Sequence, residues 1–390
     1  MNNPEVEVAI FDTTLRDGAQ SLPESSQFPY GEKASIAKLI AGLGVEVIEA
    51  GFPATPGDAE EVRDVAKTVG QTPVQVSQWV DSTPQSTVDR YPVIAGLSRT
   101  VPNDIEKTWS AVSDAQRPRI HTFVSTDPEH MQAKFPNKSP EDVKNMGVLA
   151  VRFAKELVKE SSAGTVEFSA EAASTTDLNY LEAVVKSAID EGADVINLPD
   201  TVGQRSPIWM RNFYHTVIGW VHETNPDVVI SAHNHNDLGL AVANSLSLVE
   251  AAALFAHEHG TTVRTQVEST ISGVGERAGN ADVFPFVAGL FKFSPDLPVP
   301  ITWEFNQRAS VSVARRVMGF AGIKIDRQNP IIGEDINVHR SGIHSDGVIK
   351  GGHTIYTSFN PLDWGHAQSE RHEEGRYQGR AGRAAAQAEA

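Results

Sequence analysis

Two histidines separated by one residue, in Ser231-Ala232-His233-Asn234-His235-Asn236-Asp237, are the side chains of this sequence best spaced to do chemistry. Side chains along a strand alternate faces, so His233 and His235 point the same way and can grip one ion. A carboxylate completes a site for a divalent cation such as Mg²⁺, Mn²⁺ or Zn²⁺, with positions left for substrate and water. Asp17 is the leading carboxylate and Asn280 a weaker neighbour. Such an ion acts as a Lewis acid on a carbonyl, and Arg16 offers positive charge to oxygen that gains charge during attack. Taken singly, Arg16-Asp17 also reads as a surface ion pair, His121 as a core imidazole and Thr201 as a helix-capping hydroxyl. Asp237 and Glu276 read equally as capping groups, and Gly273-x-Gly275 with Gly279 as a turn.

These residues need elements to bring them together. The apolar run Val228-Val229-Ile230 leads into the histidines and a helical pattern follows, as in a buried parallel strand feeding a helix. Similar strand patterns lie at 6–11, 45–49, 119–125, 165–169, 194–198 and 263–271, with two weaker candidates at 73–79 and 92–97, one of them surplus. Helical patterns occupy about 32–43, 57–69, 140–160, 177–190 and 207–222. Eight strands alternating with helices over residues 1–290 predict an α/β fold, a (β/α)8 TIM barrel, followed by small, mainly helical C-terminal subdomains. A doubly wound open sheet is the alternative, but no Gly-x-Gly-x-x-Gly follows the first strand. The predicted strand ends collect Arg16, Asp17, Glu49, His121, Ser169, Glu171, Thr201, His233, His235, Glu276 and Asn280 at one mouth. Residues 291–365 read as a linker and C-terminal subdomain, and 366–390 as a flexible tail.

The chain has 390 residues, 40% of them hydrophobic and 21% charged, enough for a large core in an ordinary globular composition. It contains no cysteine, which excludes disulfides, thiolate metal sites and cysteine nucleophiles. A formal charge of −17 argues against nucleic acid as a partner. No apolar stretch has membrane-spanning length and the N-terminus lacks a signal-peptide pattern, so a cytoplasmic protein is expected.

Five motifs in order carry a resemblance: Phe11-Asp12-Thr13-Thr14-Leu15-Arg16-Asp17-Gly18-Ala19-Gln20, Ile48-Glu49-Ala50-Gly51-Phe52-Pro53, Leu198-Pro199-Asp200-Thr201-Val202-Gly203, His233-Asn234-His235-Asn236-Asp237-Leu238-Gly239 and Gly275-Glu276-Arg277-Ala278-Gly279-Asn280. From the first strand to about Gly365 the sequence resembles the metal-dependent Claisen-condensing barrels of the 2-isopropylmalate, homocitrate and citramalate synthase group, among the DRE-TIM metallolyases. The resemblance implies an acyltransferase that joins acetyl-CoA to a 2-oxo acid and releases CoA. It implies a metal held by Asp17, His233 and His235, with Arg16 and Thr201 holding and polarising the oxo acid. Glu171 matches the glutamate of the family's Ser-x-Glu strand end, and His121 and Ser169 fall among the substrate-binding positions. His344, in Ser341-Gly342-Ile343-His344-Ser345-Asp346, matches a histidine of the C-terminal subdomain that reaches the partner subunit's barrel, and Tyr356 matches that subdomain's catalytic-site tyrosine. A homodimer is therefore implied.

Homocitrate synthases carry an arginine where this chain has Glu167, two residues before Ser169. A carboxylate at that substrate-binding position would repel a dicarboxylate, and Val166-Glu167-Phe168-Ser169-x-Glu171 points instead to 3-methyl-2-oxobutanoate, hence leucine biosynthesis. Homocitrate, citramalate or a specialised phosphonate-type synthase are the alternatives, and a metal-dependent carbon–carbon lyase is the alternative class. Lyases that cleave hydroxymethylglutaryl-CoA use a cysteine this chain lacks. Two segments are longer than usual in the group, 71–91 and 252–263; His257 and His259 in the second read as a solvated helix end. Leucine-inhibited members add a regulatory domain after the subdomains, and the short low-complexity stretch beyond Gly365 implies none here.

Overall fold

The computed structural model describes residues 3–80 and 83–372. Eight parallel strands close on themselves: β1 (Glu5–Asp12), β2 (Val47–Gly51), β3 (Val93–Arg99), β4 (Arg117–Ser125), β5 (Thr165–Glu171), β6 (Val195–Asp200), β7 (Val229–Asn234) and β8 (Thr262–Ser269). β1 pairs with β8 along its whole length, Glu5 with Thr262 through Asp12 with Ser269, and this seam closes the barrel. A short ninth strand, Ile301–Trp303, pairs with Val6–Val8 on the other side of β1. The predicted TIM barrel is the observed architecture.

Each strand puts its aliphatic side chains outward against the helices. Ile120, Val166, Phe168, Ile196, Ile230, Val263 and Val267 are all buried in that layer. The helices start where prolines and capping residues dictate. Pro140 follows Ser139, whose hydroxyl accepts from Asp142 N while the Asp142 carboxylate accepts from Ser139 N, so helix 140–158 opens on a reciprocal cap. Helices 56–68, 128–134, 178–190 and 207–224 likewise begin at Thr55, Asp127, Asp177 and Ser206 caps.

Of the two weaker strand candidates, 92–97 is the barrel strand β3. The other is a strand outside the barrel: Val74–Val80 pairs antiparallel with Thr83–Arg90. This hairpin accounts for the long segment 71–91. Arg90 at its base is ion-paired with Glu46 and Glu304, which ties it to the barrel edge. Segment 252–263 is mostly the end of helix 241–259, stopped at Gly260 in a left-handed conformation (φ 63°). His259 there stacks on Phe255 with ring centroids 3.9 Å apart.

After helix 283–293 the chain runs through Ile301–Trp303 into helix 310–320 and helix 342–351. Asn306 N donates to Leu43 O (2.7 Å), anchoring this part to the barrel. The tail expected from His366 begins in ordered contacts. His366 Nε2 bonds Ile331 O (2.7 Å), and Arg371–His372 pairs with Val338–His339. The rest of the expected tail, 373–390, lies outside the described residues. Among the described residues no helix is long and apolar enough to cross a membrane.

Candidate metal centre and active site

The strand ends meet at one rim around a cavity of about 310 Å³, lined in part by Arg16, Asp17, His121, Ser169, Glu171, Thr201, His233, His235 and Glu268. Asp17 sits in a tight turn, 14–18, directly after β1. The Thr13 hydroxyl accepts from Asp17 N (3.3 Å) and donates to Glu49 Oε2 (2.7 Å). β7 delivers His233 and His235 to the opposite side of the same turn, their Nε2 atoms 3.2 Å apart and His233 Nε2 3.9 Å from Asp17 Oδ2.

The donor set fits a divalent ion. One carboxylate and two imidazoles, all buried, bring their ligand atoms within 4.8 Å of one another. Two nitrogens each about 2.1 Å from one tetrahedral ion would sit roughly 3.4 Å apart, close to the spacing seen. The Asn280 Nδ2 donates to Asp17 Oδ2 (2.5 Å), and its Oδ1 is buried with no hydrogen-bond partner among the described residues, the kind of orphaned acceptor that a nearby cation would satisfy. Asn280 thus meets Asp17, the role of neighbour expected for it. The loop that carries it is latched by Arg277, which holds Asp237 through Nε and Nη2 (2.7 and 2.8 Å) and Thr201 O through Nη2 (2.8 Å). Gly279 in that loop has φ 100°, and a Cβ there would meet Gly273 O at 2.1 Å, so only glycine fits.

Electrostatics favour the deprotonated forms of Asp17 and His235, while at His233 burial is outweighed by Glu268 and Asp17, which raise its pKa. Burial pushes the Asp17 carboxyl up, but Arg16, then His233 and the Asn280 amide, outweigh it and hold it at about 2. Burial and the neighbouring His233 push His235 down to about 3. A neutral His235 has a lone pair to give.

Arg16 is aimed by two carboxylates: its Nε donates to Glu49 Oε2 (2.6 Å) and its Nη1 to Asp17 Oδ1 (2.8 Å). Glu49 also accepts from His121 Nδ1 (2.7 Å), and His121 Nε2 donates to Ser169 Oγ (2.7 Å), which also accepts from Asn197 Nδ2 (2.8 Å). Burial lowers the His121 pKa, but Glu167 and Glu49 raise it further, to about 9 against an ordinary 6.5. The native state therefore binds a proton at His121 that the unfolded chain releases above 6.5. The resulting stability is complete below pH 6.5 and is lost as pH rises through about 9. Urea midpoints measured from pH 6 to 10 should fall over that window in the parent and lose that component of the slope in His121→Gln.

Thr201 Oγ1 accepts from Ala172 N (3.0 Å), bracing a left-handed residue (φ 62°) just after β5. Glu171 lines the cavity with its carboxylate accepting from Lys134 Nζ (2.7 and 2.5 Å) and from the Ser125 hydroxyl.

Glu167 needs correction as a substrate-binding residue. It is fully buried, does not line the mouth cavity, and accepts from Arg119 Nη1 (3.0 Å) and Gln266 Nε2 (2.8 Å). Its side chain points into the barrel interior one layer deeper than Ser169, because the two lie two residues apart on one face of β5. Compensated there by Arg119, it does not present a repelling charge to the substrate. His121, Glu167 and Glu268 also bring donor atoms within 4.8 Å of one another. Both His121 nitrogens are already bonded and Arg119 occupies Glu167, so this set is an internal ion-pair network.

His344 and Tyr356 do not line the mouth cavity of their own chain. They stack on each other with centroids 4.1 Å apart at 12°. Sequence reasoning gave Glu49 a place but no role, and it missed Thr13, Arg119, Asn197, Gln266 and Glu268. The available signal was alternation: Arg264, Gln266 and Glu268 on β8 are polar at every second position, which marks an inward face.

The HMGL-like family model matches residues 7–294. The chain is 39% identical over 354 residues to a 2-isopropylmalate synthase of Prochlorococcus marinus (strain AS9601), covering 88% of this chain and 58% of that protein. It is 39% identical over 355 residues to that of Heliobacterium modesticaldum (91% and 61% covered). It is 40% identical over 368 residues to that of Pyrococcus furiosus (93% and 64%). The chain thus spans about 60% of the length of these relatives. Among solved structures it shares its fold with HMG-CoA lyases of Bacillus subtilis (TM-score 0.59, 16% identity, 84% of this chain and 98% of that one) and Pseudomonas aeruginosa (TM-score 0.54, 17% identity, 83% and 96%).

Proposed function

This chain belongs to the HMGL-like family, and we propose that it condenses acetyl-CoA with 3-methyl-2-oxobutanoate, giving 2-isopropylmalate and CoA. The single observation that carries the reading is the buried Asp17–His233–His235 set with Arg16 fixed beside it at the barrel mouth. The names of the curated relatives support the choice of acyl acceptor.

A divalent ion (Mg²⁺, Mn²⁺ or Zn²⁺) held by Asp17, His233 and His235 supplies Lewis-acid polarisation of the oxo group. The chain's own residues do the rest. Arg16 has Nε and Nη1 fixed by Glu49 and Asp17, so its remaining Nη2 edge is oriented before substrate arrives and stabilises the oxygen charge that develops during attack. The Thr201 hydroxyl and the His121–Ser169 pair line the pocket and hold the polar end of the acid. A base takes a proton from the acetyl methyl group, and the resulting carbanion bonds to the ketone carbon as the C=O π pair moves onto its oxygen. An acid protonates that oxygen to the hydroxyl, and water then cleaves the thioester to give the carboxylate and CoA as its thiol. Glu171, with His344 and Tyr356 of the partner subunit, is assigned to these proton transfers.

The dimer belongs to the same proposal. Ile343, Ile349, Ile355 and Tyr356 are exposed apolar side chains gathered on one stretch, a surface suited to a second copy. If each site takes Asp17 from one chain and His344 from the other, co-expressed Asp17→Asn and His344→Ala chains should recover about a quarter of parent activity, since a mixed dimer keeps one intact site. Activity at the level of the separate variants would remove the shared site. A cytoplasmic enzyme of leucine biosynthesis is the setting this reading gives.

The direct test is thiol release from acetyl-CoA with 3-methyl-2-oxobutanoate, pyruvate, 2-oxobutanoate and 2-oxoglutarate. The highest kcat/KM should come with the branched acid, and activity should vanish with chelator and return with metal. No release with any of the four acids would refute the condensation.

A further inference from the structure

We propose that Glu268 is a positioning residue for the metal ligand His233, fixing its tautomer and ring plane so that Nε2 offers its lone pair at the Asp17 side. The proposal rests on the metal reading of the Asp17–His233–His235 set. Glu268 and His233 are register partners on β8 and β7, so their side chains leave the two strands at the same level and on the same inner face. His233 Nδ1 donates to Glu268 Oε2 at 2.7 Å, and with the proton held there Nε2 is left as an acceptor. That Nε2 is the atom 3.2 Å from His235 Nε2 and 3.9 Å from Asp17 Oδ2.

The surroundings of Glu268 point the same way. Its carboxylate is 1% exposed, and Oε1 has no hydrogen-bond partner among the described residues. Glu167 stands close by with a second carboxyl. A buried carboxylate among others is costly unless positive charge lies near it. Positive charge reaches it from Arg16 and from His121, whose ring lies in the same cluster, while Oε2 is given over to His233, whose far side faces the Asp17 set. The two histidines differ in this respect: His235 Nδ1 is buried without a partner, so only His233 is braced by an acidic group. Glu268 touches neither the ion position nor the substrate, and it acts through the ring.

Metal affinity is the readout, because a purely structural role would not move it in a folded protein. The full chain is stripped with chelator and titrated with Co²⁺ against a chromophoric chelator, following the Co²⁺ absorption band as well. Parent, Glu268→Gln and Glu268→Met are compared, both variants being near the parent in volume. Gln keeps an acceptor for Nδ1–H but loses the charge, and Met loses both. The expected result is a Co²⁺ dissociation constant about 10-fold higher for Gln and about 100-fold higher for Met, an altered absorption band in Met, and metal-free unfolding midpoints no lower than the parent's. Parent-like affinity and spectrum in both variants would overturn the proposal while leaving the metal reading in place. Failure of the parent itself to bind Co²⁺ at the Asp17 set would overturn both. Metal-free variants that unfold well before the parent would make Glu268 a residue of the fold and also overturn it.

Discussion

Replacing Asp17 by Asn is expected to lower kcat/KM by about a thousandfold or more and to abolish tight metal retention, with the fold kept. A thousandfold corresponds to about 4 kcal/mol of transition-state stabilisation, within what a Lewis-acid ion supplies to a developing oxyanion. The amide is isosteric, so the 14–18 turn and its Thr13 cap persist. It removes the one anionic ligand from a set whose other two members are imidazoles. It also takes away the negative charge that Arg16 Nη1 is paired with, leaving only a neutral amide oxygen to accept from it. Metal content by elemental analysis and steady-state kinetics on the same preparation decide the matter. An Asn variant with full metal content and activity within tenfold of the parent would exclude Asp17 as a ligand.

The second large effect falls on stability. Glu49 is fully buried and accepts from Arg16 Nε (2.6 Å), Thr13 Oγ1 (2.7 Å) and His121 Nδ1 (2.7 Å). Two of these donors are cations, since His121 stays protonated up to about pH 9. Glu49→Ala takes one buried counter-charge from each, leaving Arg16 with Asp17 and His121 with Glu167, and breaking these buried pairs costs about 3–5 kcal/mol. Urea unfolding at pH 7 measures it. The double variant Glu49→Ala/His121→Ala should recover part of the loss, because one under-compensated charge goes with the histidine. A single variant within about 1 kcal/mol of the parent would mean that the network is slack rather than mutually dependent.

Much of this molecule is legible in its sequence because the rules involved are local. Aliphatic runs separated by helical patterns declare a parallel barrel, and His233-x-His235 declares two rings on one face. Val74–Val80 shows the limit. Its pattern is a strand and it is a strand, but periodicity does not say which sheet receives it, and it pairs in a hairpin outside the barrel. Glu167 shows another. The residue type suggested a charge facing the substrate, whereas Arg119 from β4 and Gln266 from β8 take up that carboxylate in the barrel interior. Partners 48 and 99 residues away are set by barrel closure, which no window along the chain contains. Glu268 escaped for the same reason: its meaning comes from standing beside His233 in register.

The seam between β1 and β8 has a consequence for how the protein comes into being. Asn280 reaches Asp17 across 263 residues, and the Ser269 hydroxyl reaches Phe11 O across 258. Contacts of such separation are slow to form, since the intervening loop must be closed before they stabilise anything. A nascent chain still on the ribosome can have Asp17 folded in its turn long before the histidines are synthesised. An ion held by that set therefore could not template the early steps of biogenesis; it would be captured once the ring has shut, and its uptake by newly made protein would serve as a clock for that event.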